Sequence, residues 1–205
     1  MNSLRLVLLG DSLAYGTGAV RREETLGPRL AAALRTAGHA ALIEVLAVPG
    51  ATSADLAPQL RRAAALRPDL AVIVIGANDL ARLVPVADAV EALGAAVTAL
   101  RADGADVVVA TAPDMSVAPV IPPVLRPLVR DGCAALEARQ ARAVEAAGGT
   151  VARLGDSLVG PFAADPRLFA ADRYHPSGAG YALIAERLAP CVVAAANGRR
   201  DGAAA

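Results

Sequence analysis

Residues 4–18 read LRLVLLGDSLAYGTG and carry the strongest structural signal in this chain. The mostly apolar run over 4–9 stops at Gly10, and a short buried run bounded by a glycine turn is typical of a central strand in a parallel sheet. Gly16 and Gly18 predict a glycine-rich loop before the first helix. Ligands of open α/β sheets bind outside the carboxyl ends of the strands. Ser12 therefore lies where chemistry is expected, and its hydroxyl is a candidate nucleophile.

The composition of the 205-residue chain favours one globular domain with a sizeable core. We place this domain at residues 1–196 and expect the remaining tail, 197–205, to be disordered. The formal net charge is zero. A nucleic-acid-binding protein needs a basic excess to neutralise phosphates, so this function is not expected.

Two cysteines, Cys133 and Cys191, belong to no spaced metal motif, which predicts free thiols in a reducing compartment. The N-terminal apolar run is only as long as a strand, so we interpret it as a strand and not as a signal peptide. No run approaches the ~20 apolar residues that span a bilayer. We expect a cytoplasmic protein with no membrane span, metal or cofactor; the sequence leaves its oligomeric state open.

Strands and helices alternate along the whole chain. This alternation is the pattern of a parallel sheet that is covered by helices on both faces. Predicted strands lie at 4–9, 41–48, 70–75, 107–110 and 150–154, and predicted helices at 28–36, 52–66, 86–102, 128–147 and 176–188.

The segment 111–127 interrupts this regularity with five prolines. Proline lacks a backbone donor and blocks helix interiors, so the segment cannot be regular throughout. Its apolar side chains either line an acyl pocket, form a lid, or pack at the sheet edge.

A histidine in the last predicted loop can serve as a base for Ser12. His175 precedes Pro176, which restricts the histidine to an extended backbone and fits the first turn of a helix. Asp172 can accept the Nδ1–H of His175 and leave Nε2 free to take a proton from a serine. The same Asp-x-x-His pattern also suits an N-terminal helix cap. The other histidine, His39, is interpreted as a residue of a helix-to-strand turn.

Four sequence blocks together resemble the SGNH hydrolases, also called the GDSL esterase/lipase family. They are residues 10–13 (GDSL), Gly50, residues 76–79 (GAND) and Asp172-x-x-His175, in the order of the family. The resemblance implies a flavodoxin-like three-layer α/β/α sandwich with a five-stranded parallel sheet. It also implies Ser12 as nucleophile, His175 as general base and Asp172 as the carboxylate that orients it. An oxyanion hole would come from the Ser12 N–H, the Gly50 N–H and the Asn78 side-chain amide.

The chemistry of acyl transfer agrees with these roles, because donors aimed at the developing oxyanion are often the largest catalytic contribution. Gly50 has no side chain to block a close approach. The alternatives are a simple turn glycine at Gly50 and a helix cap at Asn78. We expect a serine hydrolase that cleaves small-molecule carboxylic esters or thioesters through an acyl-enzyme.

A second GDSL occurs at residues 155–158. It follows a weaker predicted strand and has no glycine-rich loop after it. We interpret this copy as a coincidence and keep Ser12 as the nucleophile.

Two other functions are open alternatives: a nucleotide- or phosphate-binding module that uses residues 10–18 as an anion cradle, and a non-catalytic binding protein. The chain has no G-x-x-x-x-G-K-[ST] and no lysine, which disfavours the first. Every candidate catalytic position carries the residue that its role needs, which disfavours the second. Acetylated sugars, short aliphatic esters, lysophospholipids and thioesters all stay open as substrates.

Overall fold

The computed structural model describes residues 3–203, and its centre is one parallel five-stranded sheet. The strands are β1 (Leu4–Gly10), β2 (Ala41–Val45), β3 (Leu70–Val74), β4 (Asp106–Ala110) and β5 (Thr150–Ala152). Their order across the sheet is β2-β1-β3-β4-β5, with β1 paired to both β2 and β3. This order is that of the flavodoxin-like folds. The predicted fold class is confirmed.

Helices connect the strands within the described residues. They are α1 (Ser12–Tyr15), α2 (Leu26–Thr36), α3 (Leu56–Leu66), α4 (Ala77–Ala81), α5 (Val86–Ala102), α6 (Arg126–Ala146), α7 (Gly155–Ala164) and α8 (Gly178–Ala203). Short 3-10 turns lie at Met115–Val117 and Pro123–Leu125, so the proline-rich segment is irregular up to the start of α6, as predicted.

Two apolar cores lie on opposite faces of the sheet, because successive strand side chains point to opposite faces. Leu6 and Leu8 of β1 pack with α2, α7 and α8 on one face. Val7 and Leu9 pack with α3, α5 and α6 on the other. A strand that is buried on both faces reads as a continuous apolar run, which explains the strong signal of residues 4–9.

The end of the chain differs from the prediction. Helix α8 does not stop at residue 188 but continues to Ala203, so a disordered tail is wrong for residues 197–203; residues 204–205 lie outside the described residues. Tertiary contacts hold this end: Ala196 is buried, and the Arg199 guanidinium donates to Asp106 at 3.1 Å and to the Gly104 carbonyl at 2.9 Å.

Helix α8 is also long and apolar enough to cross a membrane by length and composition alone, with an 18-residue window of mean hydropathy 1.4 within Gly178–Arg199. Core helices of soluble proteins pass the same test. Tyr181, Leu188 and Val192 of α8 are fully buried in the core.

Candidate active site

Ser12 lies at the first residue of α1, immediately after the carboxyl end of β1. The predicted glycine-rich loop is therefore partly wrong, because a short helical turn comes first. Asp11 causes this turn: its backbone is extended, and its Oδ1 accepts the N–H of Leu13 at 2.9 Å. An aspartate in this position caps a helix by satisfying one of the amides that the first turn leaves free.

The residue before this cap, Gly10, is held by a buried glutamine of α3. The Gln59 side chain accepts the Gly10 N–H at 2.8 Å and donates to the Gly10 carbonyl at 2.9 Å. Gly10 has a φ of +130°, and a Cβ there would overlap the carbonyl oxygen of Val74. The turn that presents Ser12 thus requires glycine and is fixed by two buried hydrogen bonds.

The structure brings His175 and Asp172 to Ser12. The Ser12 Oγ lies 3.0 Å from His175 Nε2, and His175 Nδ1 lies 2.6 Å from Asp172 Oδ2. Since an ionised carboxylate only accepts, Nδ1 carries the proton and Nε2 accepts from the serine hydroxyl. This is the arrangement that lets a histidine act as a base toward serine.

The loop around Asp172 fixes the direction of its carboxylate. The second oxygen, Oδ1, accepts the backbone N–H groups of Tyr174 at 2.9 Å and His175 at 3.0 Å. Burial raises the pKa of Asp172, but the hydrogen bonds from the His175 ring and from these amides outweigh it, so the net pKa is lowered. The Tyr174 ring meets the His175 ring edge-on, with centroids 5.0 Å apart.

Asp11 is a second carboxyl beside the nucleophile. It is buried, and burial raises its pKa from 3.8 to about 6, although the Leu13 amide and the nearby His175 lower it and Asp79 raises it further. Desolvation disfavours the charged form of an acid, which is the direction seen here.

Gly50 and Asn78 lie on two loops that are joined to each other. The Asn78 side-chain amide donates to the carbonyl of Ala51 at 3.0 Å, next to Gly50, whose φ is +82°. Asp79 accepts the backbone N–H and the hydroxyl of Ser53 at 3.0 Å each. The N-terminal cap position of α4 belongs to Gly76, so the capping alternative for Asn78 does not describe its side chain. The amide has a second N–H, which the Ala51 bond leaves free.

Sequence reasoning missed two buried glutamines. Gln59 holds Gly10, and Gln140 of α6 accepts the Ala112 N–H at 2.8 Å and donates to the Ile75 carbonyl at 3.3 Å. Both therefore bind backbone groups at the carboxyl ends of strands. The available signal was a polar residue inside an apolar helical stripe: Gln59 lies between the buried Leu56 and Ala63 of α3.

The remaining histidine and the cysteines lie outside this constellation. His39 Nε2 is 2.8 Å from the Asn197 Oδ1 and joins its turn to α8. Cys133 and Cys191 are free, as predicted. Cys133 is buried, and burial raises the pKa of its thiol.

Ser157 of the second GDSL lies in the first turn of α7, where its hydroxyl donates to the carbonyl of Leu154 at 2.9 Å. Its neighbours, however, reach the site. An apolar pocket opens beside Ser12 and His175 and is lined on its other sides by α7, by α8 and by the segment that follows β4. Val117 of the proline-rich segment lines it, whereas Val120, Val124 and Leu125 are exposed. The first half of that segment therefore lines this pocket, and an acyl group as its occupant stays a prediction.

The chain is similar to known hydrolases in sequence and in fold. A model of the GDSL-like lipase/acylhydrolase family matches residues 8–183. A "GDSL-like esterase" of Mycobacterium tuberculosis is 40% identical over 189 residues, which are 90% of this chain and 60% of that protein. This chain thus spans about 60% of the length of that relative.

Solved structures share the fold at low identity. The crystal structure of TesA has a TM-score of 0.76 and 20% identity, covering 93% of this chain and 99% of its own. A lipase/acylhydrolase from Enterococcus faecalis has a TM-score of 0.73 and 22% identity, covering 93% and 96%. With the family model matching most of its length, this chain belongs to the GDSL-like lipase/acylhydrolase family, the SGNH hydrolases.

Proposed function

We propose that this protein is a serine hydrolase that cleaves carboxylic esters or thioesters through an acyl-enzyme on Ser12. The observation that carries the proposal is the hydrogen-bonded chain from Ser12 Oγ through His175 to Asp172, with distances of 3.0 and 2.6 Å. A nucleophile, a base and a group that orients the base, each within hydrogen-bond reach of the next, are what nucleophilic catalysis by serine needs.

In the first half of the reaction, Ser12 Oγ attacks the carbonyl carbon and its proton moves to His175 Nε2. The tetrahedral intermediate collapses, and the departing alkoxide or thiolate takes that proton from Nε2. In the second half, water attacks the acyl carbon, gives its proton to Nε2, and the acid leaves as Ser12 Oγ is reprotonated. Asp172 stays ionised throughout, because its net pKa is lowered, and stabilises the imidazolium that forms twice.

The oxyanion of each tetrahedral intermediate needs donors. We assign this role to the backbone N–H groups of Ser12 and Gly50 and to the free N–H of the Asn78 amide. Two features support the assignment: β2 and β3 flank β1 in the sheet, and the Asn78–Ala51 hydrogen bond holds the two donor loops together. Donors that are fixed before the reaction need no reorganisation when the charge develops.

We also propose a cellular location for the protein and a reaction without a metal or cofactor. We place the protein in the cytoplasm, because Cys133 and Cys191 are both free thiols. We expect no metal or cofactor in the reaction, since the base and the nucleophile already activate one another.

Covalent labelling tests the nucleophile directly. The protein is incubated with an alkyl p-nitrophenyl phosphonate, digested, and mapped by mass spectrometry; we expect the phosphonyl group on Ser12 and loss of p-nitrophenyl acetate hydrolysis in parallel. The same assay with EDTA should give unchanged rates. Label on Ser157, or activity that EDTA removes and a divalent ion restores, would contradict the proposal.

A further inference from the structure

Helix α7 and the residue before it present an apolar stripe to the pocket beside Ser12. Leu154, Leu158 and Phe162 follow one another at intervals of four residues, and all three line that pocket. Residues four apart lie on the same face of a helix. The second GDSL sequence is thus part of a wall of the candidate active site, although its serine points to its own backbone.

The pocket lining combines two kinds of side chain. Ser12, Asp11 and His175 are among its polar members. Phe162, Phe169 and Ile184 also line it, and their side chains carry no hydrogen-bonding group. A polar alcohol or sugar packed against them would lose its hydrogen bonds to water, whereas a methylene chain would gain from leaving water.

The part of the lining around Phe162 is firmly packed. Phe162 is 8% exposed, and its ring meets Phe169 edge-on with the centroids 5.1 Å apart. Its ring lies against α8 at Gly180, so close that a Cβ on Gly180 would be 3.2 Å from Phe162 Cζ. Side chains that are packed this closely resist displacement by a longer ligand. A chain bound in the pocket therefore meets a firmly packed wall at Phe162.

We propose that this pocket binds the acyl group of the substrate as an unbranched apolar chain, and that α7 sets the chain length through Leu158 and Phe162. The inference rests on the proposed acyl-enzyme at Ser12, since the chain must be joined to that hydroxyl. Leu158 and Phe162 both line the pocket, so the sizes of their side chains limit the space that is left for the chain. Esters and thioesters of aliphatic acids are then better substrates than acetylated sugars.

Chain-length profiles of paired variants test the inference. Rates are measured with p-nitrophenyl esters from acetate to palmitate and with an acetylated sugar. Phe162→Ala enlarges the pocket, so kcat/KM for longer chains relative to the wild-type optimum should rise about tenfold, which corresponds to burying two further methylenes. Leu158→Phe fills the pocket and should shift the optimum to shorter chains by a similar factor.

Ser157→Ala is the matched control in the same helix, because its hydroxyl contacts only the backbone of Leu154 among the described hydrogen bonds. Its chain-length profile should equal that of the wild type. If Phe162→Ala does not fold, the shift in Leu158→Phe alone decides. Unchanged profiles in the folded variants overturn the inference, and so does a wild type that prefers the acetylated sugar.

Failure of the inference and failure of the proposed function give different results. A protein that hydrolyses the ester series and is labelled on Ser12, but with profiles that α7 does not move, keeps the function and loses the inference. A protein that cleaves none of the esters and takes no label loses both.

Discussion

The two GDSL segments of this chain have the same four residues and different structures. In residues 10–13 the backbone leaves a strand, Gly10 has a φ of +130°, and Asp11 is extended and caps the helix that Ser12 begins. In residues 155–158 all four residues lie in the first turn of α7. In the first copy Ser12 lies within hydrogen-bond distance of His175, whereas in the second copy Leu158 lines the pocket. Four residues therefore do not determine the presentation of a serine.

The strands before the two copies explain the difference. β1 has seven residues, is buried from Leu6 to Gly10, and pairs with a strand on each side, so its end is fixed at the carboxyl edge of the sheet. β5 has three residues and pairs with β4 alone, at the edge of the sheet. Gln59 adds two buried hydrogen bonds to the first turn. After the firmly paired strand, Gly10 and Asp11 stay outside the helix that Ser12 begins, whereas all four residues of the second copy lie in α7.

Serine replacement is the largest expected effect and the direct test of this comparison. Ser12→Ala should lower kcat by roughly 10⁴ to 10⁶, because no other group can form the acyl-enzyme. Ser157→Ala should leave kcat within about twofold, since its hydroxyl only bonds the Leu154 carbonyl. Steady-state kinetics with p-nitrophenyl acetate measure both. Equal losses in the two variants would make the two copies functionally alike and refute the comparison.

The loops around the first copy sharpen the comparison, because they hold the proposed oxyanion donors. Asn78→Ala should lower kcat by ~10² to 10³ with little change in KM, since such a donor acts mainly in the transition state. The lost hydrogen bond to Ala51 should cost only about 1 kcal/mol of the free energy of unfolding. Kinetics and a melting curve on one purified variant give both values. A destabilised variant with wild-type kcat at a permissive temperature would leave Asn78 a purely structural role.

The smallest expected effect comes from the burial of Asp11 at the first copy. Because burial raises its pKa to about 6 in the folded state from 3.8, the folded state holds the proton more tightly than the unfolded state. Stability is therefore lost as the pH rises through this window, by about 2 to 3 kcal/mol at pH ~7. Asp11→Asn keeps a good helix cap and removes the titration, so its unfolding free energy should fall less between pH ~4 and ~7. Urea unfolding at the two pH values measures the difference.

Asp165→Asn is a control, because Asp165 should change the unfolding free energy with pH in the opposite direction to Asp11. Asp165 caps the 3-10 turn Pro166–Leu168, and its hydrogen bonds to Arg167 lower its pKa. The stabilisation that the Asp165 carboxylate contributes is present above the pKa of this group in the unfolded state and is lost as the pH falls. If Asp11→Asn and the wild type show the same pH slope, the Asp11 carboxyl does not titrate in this window.

Much of the fold and most of the candidate site could be predicted from local sequence. The alternation of apolar runs and helical stripes predicted all five strands, because a parallel sheet buried on both faces leaves continuous apolar runs. The Asp172-x-x-His175 spacing predicted a carboxylate and an imidazole within reach, because both side chains belong to one short loop. Strands that end at one edge predicted that Ser12, Gly50 and Asn78 lie near each other, whereas the oxyanion roles of Gly50 and Asn78 came from the family resemblance and stay predictions. The domain boundary at 196 and the oligomeric state stay untested.

The parts that could not be predicted depend on residues far apart in the chain. Gln59 binds Gly10, and Gln140 binds the backbone after β3 and β4, across separations that no local pattern reports. The last helix continues to Ala203, and Arg199 within it donates a hydrogen bond to Asp106, a residue of β4. The pocket forms where α7 packs against α8 and the segment that follows β4. Sequence alone determined the strands and the reactive side chains, because these follow from local apolar periodicity and spacing. The tertiary structure decided which serine faces the histidine and which residues surround that serine, because those contacts form only when distant segments pack.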